Sequence, residues 1–413
     1  FFRITVTKLV DCLNHEENFG FALAAIEIFS GDHNLSLSKS VSAMDSFENS
    51  GWGKSYLTCG RNLVGEEKSG HEALLMRKEI DITNQIKTAN AYVCGLGLNE
   101  FFINGEKVGD EVLSPSFTDY RKRVLYKTFD VEKHLLIGKN TLGIILGGGW
   151  FNPSTPDVWG FHNASWVTTP RLLFNLIVEY KDGSNKVYSS DTTWKCSHGD
   201  IVLNCIRGGE VIDARFKKSG WDIAGYDDSK WRPVKIVDAP KGRLISESHP
   251  PIRVKKYMTP ISLSEPKPGI FVYDMGINMS GWARMKIKKG KVGSKIKLFY
   301  NEKLNSDGTV LRGPHTWWHY GSYQTEEFIL SNKSTEVFEP RFTYHGFRYI
   351  EVSGLTKKPH LDDLNGALVH TDLTKVGEFS CSNEDINHIQ KLIIRTQLTN
   401  MHGIPTDCPH REK

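Results

Sequence analysis

A mostly β protein, with two or more antiparallel β-sandwiches of jelly-roll type and a single helix near the carboxyl end, is what three features of the sequence predict. Short alternating apolar runs, broken by Gly, Asn and Asp, fill residues 1 to 300. With 37 glycines, 10 tryptophans, 14 tyrosines and 21 phenylalanines, the composition suits turn-rich sheets with aromatic surfaces better than a helical bundle. A helical period replaces the alternation only after residue 380. At ~100–200 residues per domain, the 413 residues imply two to four domains.

The elements follow in order. Ile4 and Val6, then Ile26 and Ile28, alternate as extra strands of a first sandwich within residues 1–50. Asn104-Gly105 lies between strand-like flanks, a hairpin signal because both turn positions favour positive φ. Val124–Phe129, Thr141–Leu146, Leu172–Tyr180 and Ile296–Tyr300 are predicted strands, with turns at Asp182-Gly183 and Asp307-Gly308. Pro233, Pro240, Pro250, Pro251, Pro260, Pro266 and Pro268 suit a connector better than central strands. The first sandwich module is therefore set at 1–235, the connector at 236–268 and a second sandwich at 269–360. Lysines from Lys286 to Lys297 alternate with Ile287 and Ile296, which predicts a hairpin with one solvated face. After Lys357-Lys358-Pro359 a new segment, 361–413, begins. Ser382 and Asp385 form a capping box, and Ile386, Ile389 and Ile393 share one face, so a helix is expected from Asn383 to Met401, ended by Gly403 and Pro405.

Several function classes are excluded. With 52 basic and 48 acidic side chains, no nucleic-acid partner is expected. No membrane span is expected either, since no run approaches ~18 apolar residues. The seven cysteines form no CxxC pair and are predicted to be mostly free, buried thiols. Gly147-Gly148-Gly149 lacks the lysine of a phosphate loop. His315 and His319 are the one HxxxH spacing, in a loop-like stretch that favours a non-metal role; His345 and His402 are predicted core hydrogen-bonders. Two features can carry chemistry. The cluster from Asp407 to Lys413 is either a helix-capping loop or a rigid sugar-binding loop. Trp150, Trp159, Trp166, Trp317 and Trp318 either pack in cores and interfaces or stack on sugar faces.

Three stretches, in this order, resemble bacterial α-L-rhamnosidases of glycoside hydrolase family 78. The first runs from Ala91 to Gly97, through Asn104-Gly105 and Thr118-Asp119-Tyr120, to Gly148-Gly149-Trp150 and Gly220-Trp221-Asp222. The second includes Asp274-Met275-Gly276, Ser280-Gly281-Trp282 and Pro340 to Tyr349. The third is Ile404-Pro405-Thr406-Asp407-Cys408-Pro409-His410-Arg411-Glu412. The resemblance covers roughly residues 50–413. It implies that 361–413 opens a truncated (α/α)6 barrel, and that the activity is inverting hydrolysis of terminal α-L-rhamnose from a polysaccharide or glycoside. It also implies that Asp407 binds sugar hydroxyls and that the general acid is a glutamate six residues on, where this chain has Lys413. An ammonium cannot replace a carboxylic acid of raised pKa, so Glu412 is the neighbouring catalytic candidate. The general base is expected beyond residue 413, leaving the piece silent by itself. His410, Arg411 and Lys413 are candidate substrate-binding residues, with Arg411 alternatively a structural partner of Asp407. Trp150 joins them, as do Asp119 and Tyr120, which resemble a rhamnose-binding module where calcium assists; Asp119 is alternatively a turn-former. No cofactor is required on this reading, calcium apart. The expected partner is a rhamnose-containing glycan, acidic if Lys413 neutralises a uronate, and the expected location is periplasmic or secreted. A rhamnosyl-glucuronate lyase and a non-catalytic rhamnose-binding protein are the rival readings.

Overall fold

The computed structural model describes residues 10–11, 19–20, 29–30, 33–34, 71–153, 159–288, 290–312, 323–331 and 333–411. Residues 1–70 form one unit and 71–413 another. In the first, Val10–Asp11 pairs with Phe19–Gly20 and Phe29–Ser30 with His33–Asn34, each pair a two-stranded sheet of its own. Ile4, Val6, Ile26 and Ile28 lie outside the described residues.

The second unit opens with a sandwich of two sheets. One sheet centres on Leu74–Ile82, Gly138–Gly147 and Leu98–Ile103, antiparallel throughout. The other centres on Arg171–Tyr180, Ile86–Leu96 and Arg123–Asp130. Alternate residues of both face inward, so that Ile82, Ala91, Leu142, Ile144, Phe174, Leu176 and Trp194 share one core. The Asn104-Gly105 turn closes its hairpin with φ of 52° and 86°, as the pair predicts.

The next module is one continuous ten-stranded sheet rather than two separate ones. Its axis is the 19-residue strand Ile270–Lys288. The amino half of this strand pairs with Ser262–Lys267 and His345–Ser353, the carboxyl half with Leu364–Thr371 and Thr335–Phe338. A register shift between Asp274 and Met279, with Gly276 at φ 77°, bends it between the two sets of partners. Phe271, Tyr273, Met275, Met279, Trp282, Met285 and Ile287 from both halves then meet in one core.

Strand pairing divides the chain differently from the boundaries that proline and charge predict. Ile201–Cys205 and Gly209–Asp213, assigned above to the first module, join the ten-stranded sheet, the latter parallel to Thr325–Ile329. Within the expected connector, Arg243–Ser246 pairs with Arg123–Asp130, and Ile252–Met258 and Ser262–Lys267 join the second module. Its prolines are accommodated at the margins: Pro250 and Pro251 precede a strand, and Pro266 sits where the register of an outer strand shifts. Ile287 and Ile296 are buried between more exposed lysines as expected, but Val292 is exposed, and the two strands do not pair as a hairpin, because each takes other neighbours.

The helix spans Glu384–Thr399. Its cap is Asn383, whose side chain accepts from the Asp385 and Ile386 amides, in place of the predicted Ser382. A small hairpin follows, Met401–His402 against Ile404–Pro405, turned by Gly403 at φ 81°. No helix among the described residues is long and apolar enough to cross a membrane.

Candidate functional site

The hairpin after the helix sets the site. Thr371 fixes it: its hydroxyl donates to the Met401 carbonyl at 3.0 Å and accepts from the Gly403 amide at 2.7 Å. His402 is buried, with Nε2 3.1 Å from the Val369 carbonyl and its ring stacked on Tyr344 at 3.9 Å. That is the core hydrogen-bonding role its sequence context predicts. On the side of the first sandwich, Gly403 lies so close to Ser116 that a Cβ there would meet its Oγ. Both modules therefore grip the segment that leads into Thr406 and Asp407.

Beyond that grip opens a cavity of about 240 Å³. The first sandwich module contributes Phe117, Trp150, Trp159 and Phe161, the second Ile206, Ile252 and Tyr344, and the hairpin ends in Thr406 and Asp407. The aromatic wall is locked edge to face: Phe117, Trp150 and Phe161 lie 5.4–5.6 Å apart, centroid to centroid. Behind it the buried Arg207 guanidinium sits 5.0 Å from the centre of Trp150 and 5.8 Å from that of Phe161, a cation–π support that stiffens both rings. Burial also pushes the Tyr344 phenol well above its ordinary range, so it stays a neutral hydroxyl at any working pH. The chamber thus presents ring faces, three hydroxyl-bearing side chains (Ser116, Tyr344 and Thr406) and one carboxylate. Such a chamber can hold a small molecule with an apolar face while a few polar groups orient it.

The predicted residues fall into four sets. Asp407 and Trp150 line the cavity together. His410 and Arg411 lie in the bend just past it. The His410 Nδ1 is 3.6 Å from Glu302 Oε1, and Arg411 donates from Nε to Cys408 Sγ at 3.3 Å, a contact that neither reading of Arg411 contains. Glu412 and Lys413, like Trp317, Trp318, His315 and His319, lie outside the described residues.

Asp119 takes its turn-forming alternative, and Tyr120 lies inside the module rather than facing the cavity. The Asp119 carboxylate is taken by Arg121 in a two-point pair at 2.8 and 2.9 Å and also accepts the Arg121 amide; these contacts hold its pKa down to about 2. The Tyr120 ring is 2% exposed, packed edge to face on Phe151 and Trp166, so it braces the wall from behind and offers no face to a ligand. Among the described residues no group of three or more His, Cys, Asp or Glu side chains could hold a metal ion.

Phe117, Phe161, Arg207 and Tyr344 were not legible as site residues. They come from four separate segments, and the only local signal was the aromatic density around Trp150.

Comparison with known proteins agrees with this architecture. Three family descriptions match in succession: the α-L-rhamnosidase N-terminal domain over residues 84–256, the bacterial α-L-rhamnosidase concanavalin-like domain over 264–370, and the bacterial α-L-rhamnosidase six-hairpin glycosidase domain over 374–413. An α-L-rhamnosidase of Formosa agariphila is 36% identical over 358 residues, which is 83% of this chain and 36% of that protein. One of Streptomyces avermitilis is 35% identical over 331 residues, 80% of this chain and 31% of that protein. The solved α-L-rhamnosidase of Dictyoglomus thermophilum superposes with a TM-score of 0.77 at 41% identity, covering 83% of this chain and 37% of that one. The Streptomyces avermitilis α-L-rhamnosidase complexed with L-rhamnose gives 0.78 at 33% identity, covering 89% and 35%. The chain spans about a third of the length of these relatives. With two β modules and a following helix in the order of those three domains, this chain belongs to the bacterial α-L-rhamnosidase family.

Proposed function

We propose that this chain forms the β modules and the first sugar-facing loop of an enzyme that releases terminal α-L-rhamnose from a polysaccharide or glycoside. One observation carries the reading: Asp407 stands at the rim of an aromatic-walled cavity that two β modules and the loop build jointly. Rhamnose is a deoxyhexose, with a methyl group and an apolar ring face beside its hydroxyls. Ring faces such as Trp150 and Phe117 match the former, and an exposed carboxylate matches the latter. The relatives are named α-L-rhamnosidases, and one was solved with L-rhamnose bound.

In this reading Asp407 accepts hydrogen bonds from sugar hydroxyls and fixes the ring before bond cleavage. Inverting hydrolysis then needs a proton donor at the leaving oxygen and a second carboxylate, ~6.5–9.5 Å away, to activate water. Asp407 supplies orientation and not the proton, so its removal acts through binding and alignment together.

The test uses the enzyme that carries this chain. Asp407→Asn is expected to lower kcat/KM for an aryl α-L-rhamnoside by about a hundredfold and to weaken L-rhamnose binding by calorimetry, with the melting temperature unchanged. Parent-like KM and kcat in Asp407→Asn would sink the reading.

A further inference from the structure

Past Asp407 the chain does not leave the protein surface but lies down on the second β module. Gly346, near the start of the strand His345–Ser353, is where it lands. A Cβ at Gly346 would sit 2.7 Å from Pro409 Cγ and 3.0 Å from the His410 amide nitrogen, so only a residue without a side chain lets the bend approach this closely. Gly346 is not at positive φ, and its need is for space alone.

The landing point is itself clamped. Gln324, buried and held at φ 42°, accepts from the Gly346 amide at 3.0 Å and donates to the Gly346 carbonyl at 2.9 Å. Next door, the hydroxyl of Tyr323 donates to the His410 carbonyl. Under the strand, the buried His345 lies with Nε2 2.9 Å from Glu326, which also takes the Tyr300 hydroxyl at 2.5 Å. The Tyr300 and His345 rings stack at 4.3 Å. A platform so connected has little freedom to yield, and its shape passes directly to the bend.

We infer that Gly346 and Tyr323 are positioning residues: they fix where the Asp407–Arg411 bend lies, and through it the Asp407 carboxylate. The functional half of this inference rests on the role proposed above for Asp407; the geometric half does not. Thr371 anchors the bend on one side, and Gly346 with Tyr323 anchors it on the other, so Asp407 is held between two points of one rigid sheet. A catalytic constellation tolerates little displacement, and ~1 Å costs about a hundredfold in rate.

Cys408 provides a readout that needs no ligand, because this half-buried residue lies between Asp407 and Pro409 and its sulfur accepts from Arg411 within the bend. Gly346→Ala and Tyr323→Phe are each expected to change the rate of Cys408 alkylation by iodoacetamide, followed by mass spectrometry on the 413-residue chain, by about fivefold or more, with an unchanged melting temperature. In the enzyme carrying the chain, both are expected to lower kcat/KM on an aryl α-L-rhamnoside by about tenfold. Tyr257→Phe, which loses a comparable hydroxyl bond to Glu339 elsewhere on the sheet, is expected to change neither. Parent-like Cys408 rates in folded Gly346→Ala and Tyr323→Phe would overturn the inference. Should Gly346→Ala fail to fold, Tyr323→Phe decides alone. Altered Cys408 rates with parent-like kcat/KM would also overturn it when Asp407→Asn is impaired. If Asp407→Asn is itself unimpaired, the proposed role of the bend fails, and the functional half of the inference fails with it.

Discussion

The strand Ile270–Lys288 and the helix Glu384–Thr399 both carry a clear apolar stripe, yet they meet opposite fates. Along the strand, Tyr273, Met275, Trp282, Met285 and Ile287 are fully buried. Along the helix, Ile386, Ile389 and Ile393 are 46%, 53% and 56% exposed. The strand finds its partners within the same sheet, so alternation alone brings its inward residues to a common core. The helix meets Leu364–Thr371, Ile270–Lys288 and Met401–His402 only slightly, and its stripe stays about half exposed. What holds the helix is local: the Asn383 cap and the acidic first turn, Glu384 and Asp385, placed at the positive end of its dipole. Periodicity thus states which face is apolar; it does not state that the face is covered.

The largest test of this contrast is Trp282→Ala. The side chain is 2% exposed, packs in the main core and donates from Nε1 to Glu339 at 3.1 Å. Its removal leaves a cavity, while Glu339 keeps the Tyr257 hydroxyl as a donor, and is expected to cost about 3–5 kcal/mol in denaturant unfolding. A cost below ~1 kcal/mol would mean that the sheet does not close on one core.

A smaller effect sharpens the same comparison by charge. Glu210 is wholly buried where the two β modules meet, accepting from the Arg341 and Phe342 amides at 3.0 and 2.6 Å. Desolvation raises its pKa to about 7 against these stabilising contacts. A folded-state pKa above the unfolded value means that the folded protein binds the extra proton. The associated stability is therefore complete below pH ~4.5 and is lost as pH climbs through about 7. Glu210→Gln is expected to flatten the fall in melting temperature across that window, whatever constant offset the substitution adds. An identical slope in the variant would remove Glu210 as its source.

The two regions also differ in how far they were legible. Local chemistry was readable wherever a few adjacent residues decide the outcome. Asn104-Gly105 turned as its φ preferences require, and the helix began within one residue of the predicted cap. The mostly β class was equally plain from alternation, whereas the second module, expected as a sandwich over 269–360, is one ten-stranded sheet that also takes strands from before residue 269. What failed was pairing across distance: nothing in Gly209–Asp213 announces a parallel partner more than 100 residues on, at Thr325–Ile329. The site shows the same split. Asp407 stood out through its motif, whereas the aromatic wall draws on Phe117, Phe161 and Tyr344, which only the fold brings together. Tyr120 misled for the converse reason. It sits beside a charged turn, as an exposed residue would, but its ring turns inward onto Phe151 and Trp166.

The smallest expected effect lies on the helix and tests the other half of the contrast. If the Ile386–Ile389–Ile393 stripe contributes nothing by burial in these 413 residues, then Ile389→Ser should alter unfolding free energy by no more than about 0.5 kcal/mol. Helix propensity alone sets the sign, since Ser and Ile differ little in a helix interior. Asn383→Ala should cost more, about 1 kcal/mol of local helix stability, because it leaves the Asp385 and Ile386 amides without their acceptor. Amide hydrogen exchange resolves the two, as the cap change should speed exchange through the first helical turns while Ile389→Ser leaves protection near the parent level. The reverse order, with Ile389→Ser the costlier, would show that the stripe is buried in solution. The difference drawn between strand and helix would then be wrong at its second term.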